Sequence, residues 1–265
     1  MQAHSFLLAH FHVWVHSMAM SSIAQEILND SKQFITDLSH VNFHTPVAFT
    51  YNPLEYAWSP YADYITKFAQ TTKKHLFLGM NPGPYGMTQT GVPFGEIDAV
   101  KNWLHINNQV SIPSSMHPKR PIQGFDCPKS EVSGRRLWGL FADCFGTAEH
   151  FFQDNFVANF CPLVWMTETG AHITPDKLPA QKRKQVDEIC LKHLITLLDI
   201  LQPHTLIGVG AYATKQLTTV ATRLNRDYKI GTLLHPSPAS PIANKNWPAL
   251  PEKQLRELGI IPSPQ

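Results

Sequence analysis

Residues 76–96 read LFLGMNPGPYGMTQTGVPFGE. A short apolar run, Leu76–Gly79, ends abruptly in Asn-Pro-Gly-Pro, and an aromatic, Phe94, sits between Pro93 and Gly95. The run is too short for a helix and continuously apolar, as a strand buried on both faces is. The turn after it is stiffened by prolines and carries one amide, Asn81. The stretch holds no Ser/His/Asp set, no paired carboxylates and no phosphate-loop lysine.

Three more runs of this kind follow turn signals: Phe156–Cys161, Leu206–Gly210 and Ile230–Leu234. Helical patterns separate them. In Ala180–Leu201, the residues Val186, Cys190, Leu194, Leu197 and Leu201 keep to one face, and Pro203 closes the segment. Leu54–Gln70, Gly134–Phe145, Ala211–Leu224 and Pro248–Leu258 are further predicted helices. Strands alternating with helices imply a parallel sheet covered on both faces. With no internal repeat and no linker, residues 21–265 read as a single domain.

The chain has 265 residues, a formal charge of +2 and 43% apolar residues. It is long enough to bury a sizeable core, and no apolar run approaches the roughly 20 residues of a membrane span. A pI near 8.3 permits an anionic partner without demanding one. Cys127, Cys144, Cys161 and Cys190 form no C-x-x-C pair, which fits reduced, buried thiols of an intracellular protein. Residues 1–20 contain HFHVWVH, with His10, His12 and His16 close together. A metal site there is conceivable, but the segment reads as a disordered or mis-annotated extension. It lacks the basic start and cleavage site of a signal peptide.

Ligands of parallel sheets bind at the carboxyl ends of the strands. There the sequence places Asn81, Asn159 and His235, one polar side chain per strand exit, together with Phe94. Two amides, an imidazole and a ring suit a planar heterocycle the size of a nucleobase. Taken singly, Asn81 could be a turn residue, His235 a satisfied loop histidine, Phe94 a core residue and Asn159 a cap.

Four motifs in order, GMNPGPYGMTQTGVPFGE, SEVSGRRLWGLF, NFCPLVWM and HPSPASPIANKNW, resemble the single-strand-selective monofunctional enzymes of the uracil-DNA glycosylase superfamily. The likeness runs from about Phe49 to Pro262. It implies a three-layer α/β/α sandwich with a central four-stranded parallel sheet. It also implies base-excision repair: hydrolysis of the N-glycosidic bond of uracil and 5-oxidised uracils, such as 5-hydroxymethyluracil, in single- and double-stranded DNA. No metal or other cofactor is implied. The expected partner is lesion-containing DNA, bound by a monomer that is nucleoid-associated in a bacterial cytoplasm or nuclear in a eukaryote.

By this resemblance Asn81 positions the attacking water and His235 hydrogen-bonds the uracil O2. Asn159 reads O4 and N3–H, Phe94 stacks on the flipped base and the Met80 backbone completes its edge. Gly83 leaves room beside C5. Pro238, Ala239, Ser240, Pro241, Ile242, Asn244 and Lys245 belong to the wedge that enters the duplex, with Ala239 where vertebrate relatives carry arginine. Lys177, Lys182, Arg183 and Lys184 are expected to meet phosphates or to form a solvated helical turn; Arg135 and Arg136 are equally open. Two other readings stand beside this one: a glycosylase preferring a deaminated purine such as xanthine, and a non-catalytic single-strand DNA-binding module.

Overall fold

The computed structural model describes residues 21–263; the histidine-rich start lies outside them. In chain order the elements are α1 (Ser22–Ser39), β1 (Phe49–Tyr51), α2 (Pro53–Tyr56), α3 (Trp58–Phe68), β2 (His75–Gly79), α4 (Met87–Thr90), α5 (Val132–Phe145), α6 (Ala148–Asp154) and β3 (Asn155–Asn159). They continue with β4 (Val164–Met166), β5 (His172–Ile173), α7 (Ala180–Leu201), β6 (Thr205–Val209), α8 (Ala211–Leu224), β7 (Lys229–Leu233), α9 (Pro241–Asn246) and α10 (Ala249–Glu257).

The four predicted apolar runs form one parallel sheet, in the order β3-β2-β6-β7. Leu76, Phe77, Leu78, Leu206 and Ile207 are fully buried, as strands covered on both faces must be. Helices cover both sides of this sheet, giving the expected α/β sandwich. Each strand starts one residue or so earlier than its apolar run, at His75, Asn155, Thr205 and Lys229. These polar residues enter the ladder at the rim opposite the loops that matter below.

The structure corrects one local expectation and adds two features not predicted above. The helix predicted over Leu54–Gln70 is two helices broken at Ala57. Pro60 has no N–H for the carbonyl four residues earlier, and its ring would clash with that carbonyl. Residues after Leu163 do not simply leave the sheet: β4 pairs antiparallel with β1 and β5 in a small second sheet. The segment after Pro238 is not all loop, since Ser240 caps α9 by accepting the Ala243 N–H (3.2 Å). The four cysteines are free, with Cys144 only half-buried. Among the described residues no helix is long and apolar enough to cross a membrane.

Candidate active site

Beyond its last strand residue, β2 stays zipped to β3. Phe160 N–H donates to Gly79 O (2.9 Å) and Cys161 N–H to Met80 O (3.0 Å). This continued pairing carries Met80, Asn81 and Asn159 out of the sheet side by side. Asn81 is half-buried, and its Nδ2 donates to Leu163 O (3.2 Å). The amide is thereby fixed in one orientation. Its Oδ1 is buried and finds no hydrogen-bond partner in the protein. A buried acceptor without a partner costs about 1–3 kcal/mol, so such groups mark binding or chemistry more than structure.

Gly79 is the floor of the site, a role its sequence does not announce. A Cβ there would stand 2.3 Å from Asn159 Oδ1 and 2.6 and 2.7 Å from two carbons of the Phe94 ring. Amide and ring therefore meet over the one residue of β2 that lacks a side chain. Asn159 Nδ2 donates to Met87 Sδ (3.2 Å), so Met87, whose sequence carries no functional signal, orients the amide.

Phe94 holds a left-handed backbone, φ 51°, which is uncommon outside glycine and unfavourable by about 1–3 kcal/mol. Its carbonyl is held by the Trp138 indole N–H (3.1 Å) and the Glu96 N–H (2.7 Å). Gly134 of α5 packs on the same oxygen: a Cβ there would approach it to 2.1 Å. Trp138 and Gly134 thus lock the strained residue that supplies the ring.

His235 follows β7. Its Nδ1 accepts the Ser237 N–H (3.2 Å). In the neutral ring this puts the proton on Nε2, which becomes a donor. Burial lowers the imidazole pKa below its ordinary value, favouring that neutral form. The ring packs against Gly210, where φ is +90° and a Cβ would lie 3.1 Å from His235 Cβ and Cδ2.

Gly83 and Gly86 face the Glu131 carboxylate. A Cβ on Gly83 would lie 2.5 Å from Glu131 Oε1, and one on Gly86 1.8 Å from Oε2. Gly83 N–H donates to this carboxyl, yet burial and the nearby Glu96 carry its pKa up to about 7. The space that the missing side chain of Gly83 was expected to leave open is therefore not empty: the Glu131 carboxyl occupies it.

Hydrogen bonds brace the segment expected to form the wedge. Asn244 Nδ2 donates to Pro238 O (2.8 Å) and Ser237 Oγ accepts the Ala239 N–H (3.1 Å). Arg136 donates to Pro236 O (3.1 Å), Ser237 O (3.4 Å) and Asn244 Oδ1 (2.9 Å). Pro238, Ala239, Pro241, Ile242, Asn244 and Lys245 are exposed and Ser240 half-buried. Ile242, at 54% exposure, is one of three exposed large apolar side chains among the described residues. Lys177 lies on a short turn before α7, and Lys182, Arg183 and Lys184 on its first turns. Among the described residues none of the four forms an ion pair or hydrogen-bonds by its side chain to a pocket residue. Among the described residues no group of His, Cys, Asp and Glu side chains is arranged to hold a metal ion.

The family model of the uracil DNA glycosylase superfamily matches residues 66–258. Single-strand selective monofunctional uracil-DNA glycosylases of Rattus norvegicus, Mus musculus and Bos taurus are each 43% identical over 241 residues. The match covers 91% of this chain and 87%, 86% and 89% of theirs. The crystal structure of wild-type SMUG2 from Pedobacter heparinus superposes with a TM-score of 0.66 at 18% identity, over 88% of this chain and 97% of that one; this likeness speaks for the fold alone.

Proposed function

Since the chain belongs to the uracil DNA glycosylase superfamily, we propose that it excises uracil and 5-oxidised uracils such as 5-hydroxymethyluracil from single- and double-stranded DNA, as a monomer. It is a monofunctional uracil-DNA glycosylase of base-excision repair, hydrolysing the N-glycosidic bond and leaving an abasic site.

One observation carries the mechanism: Asn81 has one end tied to Leu163 and a bare, buried acceptor at the other. A glycosidic bond to uracil breaks by departure of the base as a delocalised anion, leaving an oxocarbenium-like sugar. The water that ends the reaction needs orientation more than strong activation, and an amide oxygen supplies it. His235 Nε2–H donates to O2 as charge grows there. As a neutral donor already in place, it stabilises the transition state by an amount of the order of 10²–10³ in rate.

Asn159 donates to O4 and accepts from N3–H. Cytosine presents the opposite pattern at both atoms and would leave the site's buried polar groups unpaired. The Met80 N–H completes the edge, and Phe94 stacks on the face. The group beside C5 is a glycine, Gly83, with the Glu131 carboxyl behind it, so a hydroxyl on a C5 substituent has a hydrogen-bond partner available. The braced segment from Pro238 to Lys245 fills the gap left by the extruded nucleotide.

The test is single-turnover cleavage of oligonucleotides carrying uracil, 5-hydroxymethyluracil, xanthine or thymine opposite guanine, and of the uracil single strand. Uracil and 5-hydroxymethyluracil should be cut, and thymine should not. Xanthine cut faster than uracil would make the chain a deaminated-purine glycosylase, and binding with no cleavage would make it a DNA-binding module.

A further inference from the structure

The ion pairs of the described residues lie on or at the ends of α1, α3, α6, α7, α8 and α10 and at the entry of β2. Among the described residues the cations on the loops around the pocket have no such partners. Two of them, Arg120 and Lys129, converge on one neutral group. Arg120 Nη1 donates to the Tyr85 hydroxyl, Lys129 Nζ donates to the same oxygen (3.2 Å), and both lie over the Tyr85 ring, at 5.6 and 4.9 Å from its centroid. Among the described residues, Asp126, Glu131 and Glu96 form no ion pair with either cation. Glu96 accepts from Ser130 Oγ (2.6 Å) and Ala99 N–H (3.1 Å), and Glu131 faces Gly83 and Gly86.

The loop that delivers Arg120 is built with unusual care for a surface turn. His117 is 1% exposed. Its N–H donates to the Tyr51 hydroxyl (2.7 Å), its Nδ1 accepts the Lys119 N–H (3.0 Å) and its Nε2 meets Glu168 O (3.0 Å). Tyr51 in turn donates to Arg120 O (2.8 Å), and Arg120 Nε donates to Gly170 O (3.1 Å). Gln89, also buried, ties the Tyr85 loop at Pro84 O (3.2 Å) to the Arg120 side at Pro121 O (3.1 Å). Two like charges on one oxygen repel each other, so this framework holds an arrangement that an anion would relieve.

We propose that Tyr85, Arg120 and Lys129 form a clamp for a backbone phosphate of the damaged strand, on the side of the pocket away from the wedge. The proposal rests on the glycosylase reading above. Tyr85 lies four residues after Asn81, hence within about 15 Å of it, close enough for a phosphate flanking the flipped nucleotide. The first turns of α5 separate the two grips: Arg136 braces the wedge while Glu131 backs the Tyr85 loop. With both cations donating to its oxygen, the Tyr85 O–H is left to donate to the phosphate, beside the remaining N–H groups of Arg120 and Lys129. The wedge and the clamp would then hold the strand on both sides of the base that leaves the stack.

The test is kcat/KM on a uracil single strand as a function of salt, for wild type, Arg120→Gln/Lys129→Gln, Lys129→Gln and Tyr85→Phe, each checked for folding by thermal unfolding. Each lost phosphate contact lowers the log–log salt slope by about 0.7 on single strands. The double variant should lose about 1.4, so its deficit shrinks about sevenfold between 50 and 200 mM salt. Lys129→Gln, at an exposed position, should lose about 0.7 even if the double variant does not fold. Tyr85→Phe keeps the slope but lowers kcat/KM about two- to tenfold, for one lost hydrogen bond. Replacing single phosphates with neutral methylphosphonates should weaken wild type at one or two positions beside uracil and leave the double variant indifferent there. Slopes unchanged in both charge variants, or methylphosphonate effects identical in wild type and the double variant, would overturn the clamp. If wild type fails to cut uracil at all, the glycosylase reading fails instead.

Discussion

Gly79→Ala adds a single methyl group, and the geometry assigns it a large effect. The new Cβ would lie 2.3 Å from Asn159 Oδ1 and 2.6 Å from the Phe94 ring, where 3.4 Å is an ordinary contact. Either the amide retreats by about 1 Å and the ring by slightly less, or β2 moves. Neither neighbour moves freely. Asn159 is held through Met87, and Phe94 is locked through Trp138. A misplacement of about 1 Å in a positioning group can cost about 10²-fold in rate, and the overpacking itself is unfavourable by about 1–3 kcal/mol. The expectation is a folded protein with a modestly lower Tm and single-turnover uracil cleavage down by about 10²-fold. The assay is cleavage of a uracil single strand at saturating enzyme, run beside urea unfolding. Asn159→Ala in the same background separates the two neighbours: the double variant should be no slower than the sum of single effects predicts. A Gly79→Ala protein that folds and cuts within about threefold of wild type would refute the assignment of Gly79 as the floor on which amide and ring meet.

Asn81→Ala and His235→Leu should each lose about 10²-fold or more in single-turnover rate while still binding lesion DNA, and borohydride should trap no covalent adduct, which gel shifts and denaturing gels check. His235, His75 and His172 have folded pKa values lowered chiefly by burial. The unfolded chain therefore takes up protons first as pH falls, so stability is complete above about pH 6.5 and declines below it, measurable as urea midpoints from pH 7.5 to 5. Glu131 has the opposite sign: its folded pKa of about 7 lies above its unfolded 4.5, so ionising it weakens the fold as pH rises through that window. Glu131→Gln should accordingly be more stable than wild type at pH 8, by about 1 kcal/mol or more, and show little gain at pH 5. In the wedge, Ala239 is too small to replace a nucleotide in the stack, so single-stranded uracil should be cut faster than a U·G mismatch and that faster than U·A. Ala239→Arg should raise duplex rates more than single-strand rates, and Ile242→Ala should lower duplex rates selectively, both read from single-turnover rates on the three substrates.

The sheet was legible because its four strands are buried on both faces, and such strands announce themselves as short apolar runs. The strand-exit rule then groups Asn81, Asn159 and His235 from the sequence alone. What escaped depends on contacts across the fold. Gly79 reads as the last residue of a strand, and only its neighbours in space make it the floor. Glu131 stands in a loop with no periodicity around it, and its approach to Gly83 and Gly86 comes from how α5 packs. The antiparallel β1, β4 and β5 are two or three residues long, below what alternation can reveal. Two omissions did carry signals. Ser21 ahead of Ala24, Ile27, Phe34 and Leu38 marks a capped amphipathic helix. Ser240-Pro241 is a cap followed by proline at the first helical position, which marks the start of α9.

The order of strands in the sheet bears on when activity can arise as the chain is made. Asn81, Phe94 and Asn159 come with β2 and β3, in the older part of a growing polypeptide, whereas His235 follows β7, an edge strand that pairs only with β6. A nascent chain that has emerged only to the end of β6 thus carries Asn81, Phe94 and Asn159 without His235. Domains generally fold as units, so a chain without β7 has neither the finished sheet nor the complete pocket. On the proposed mechanism, competence to cut therefore waits for the docking of β7 on β6.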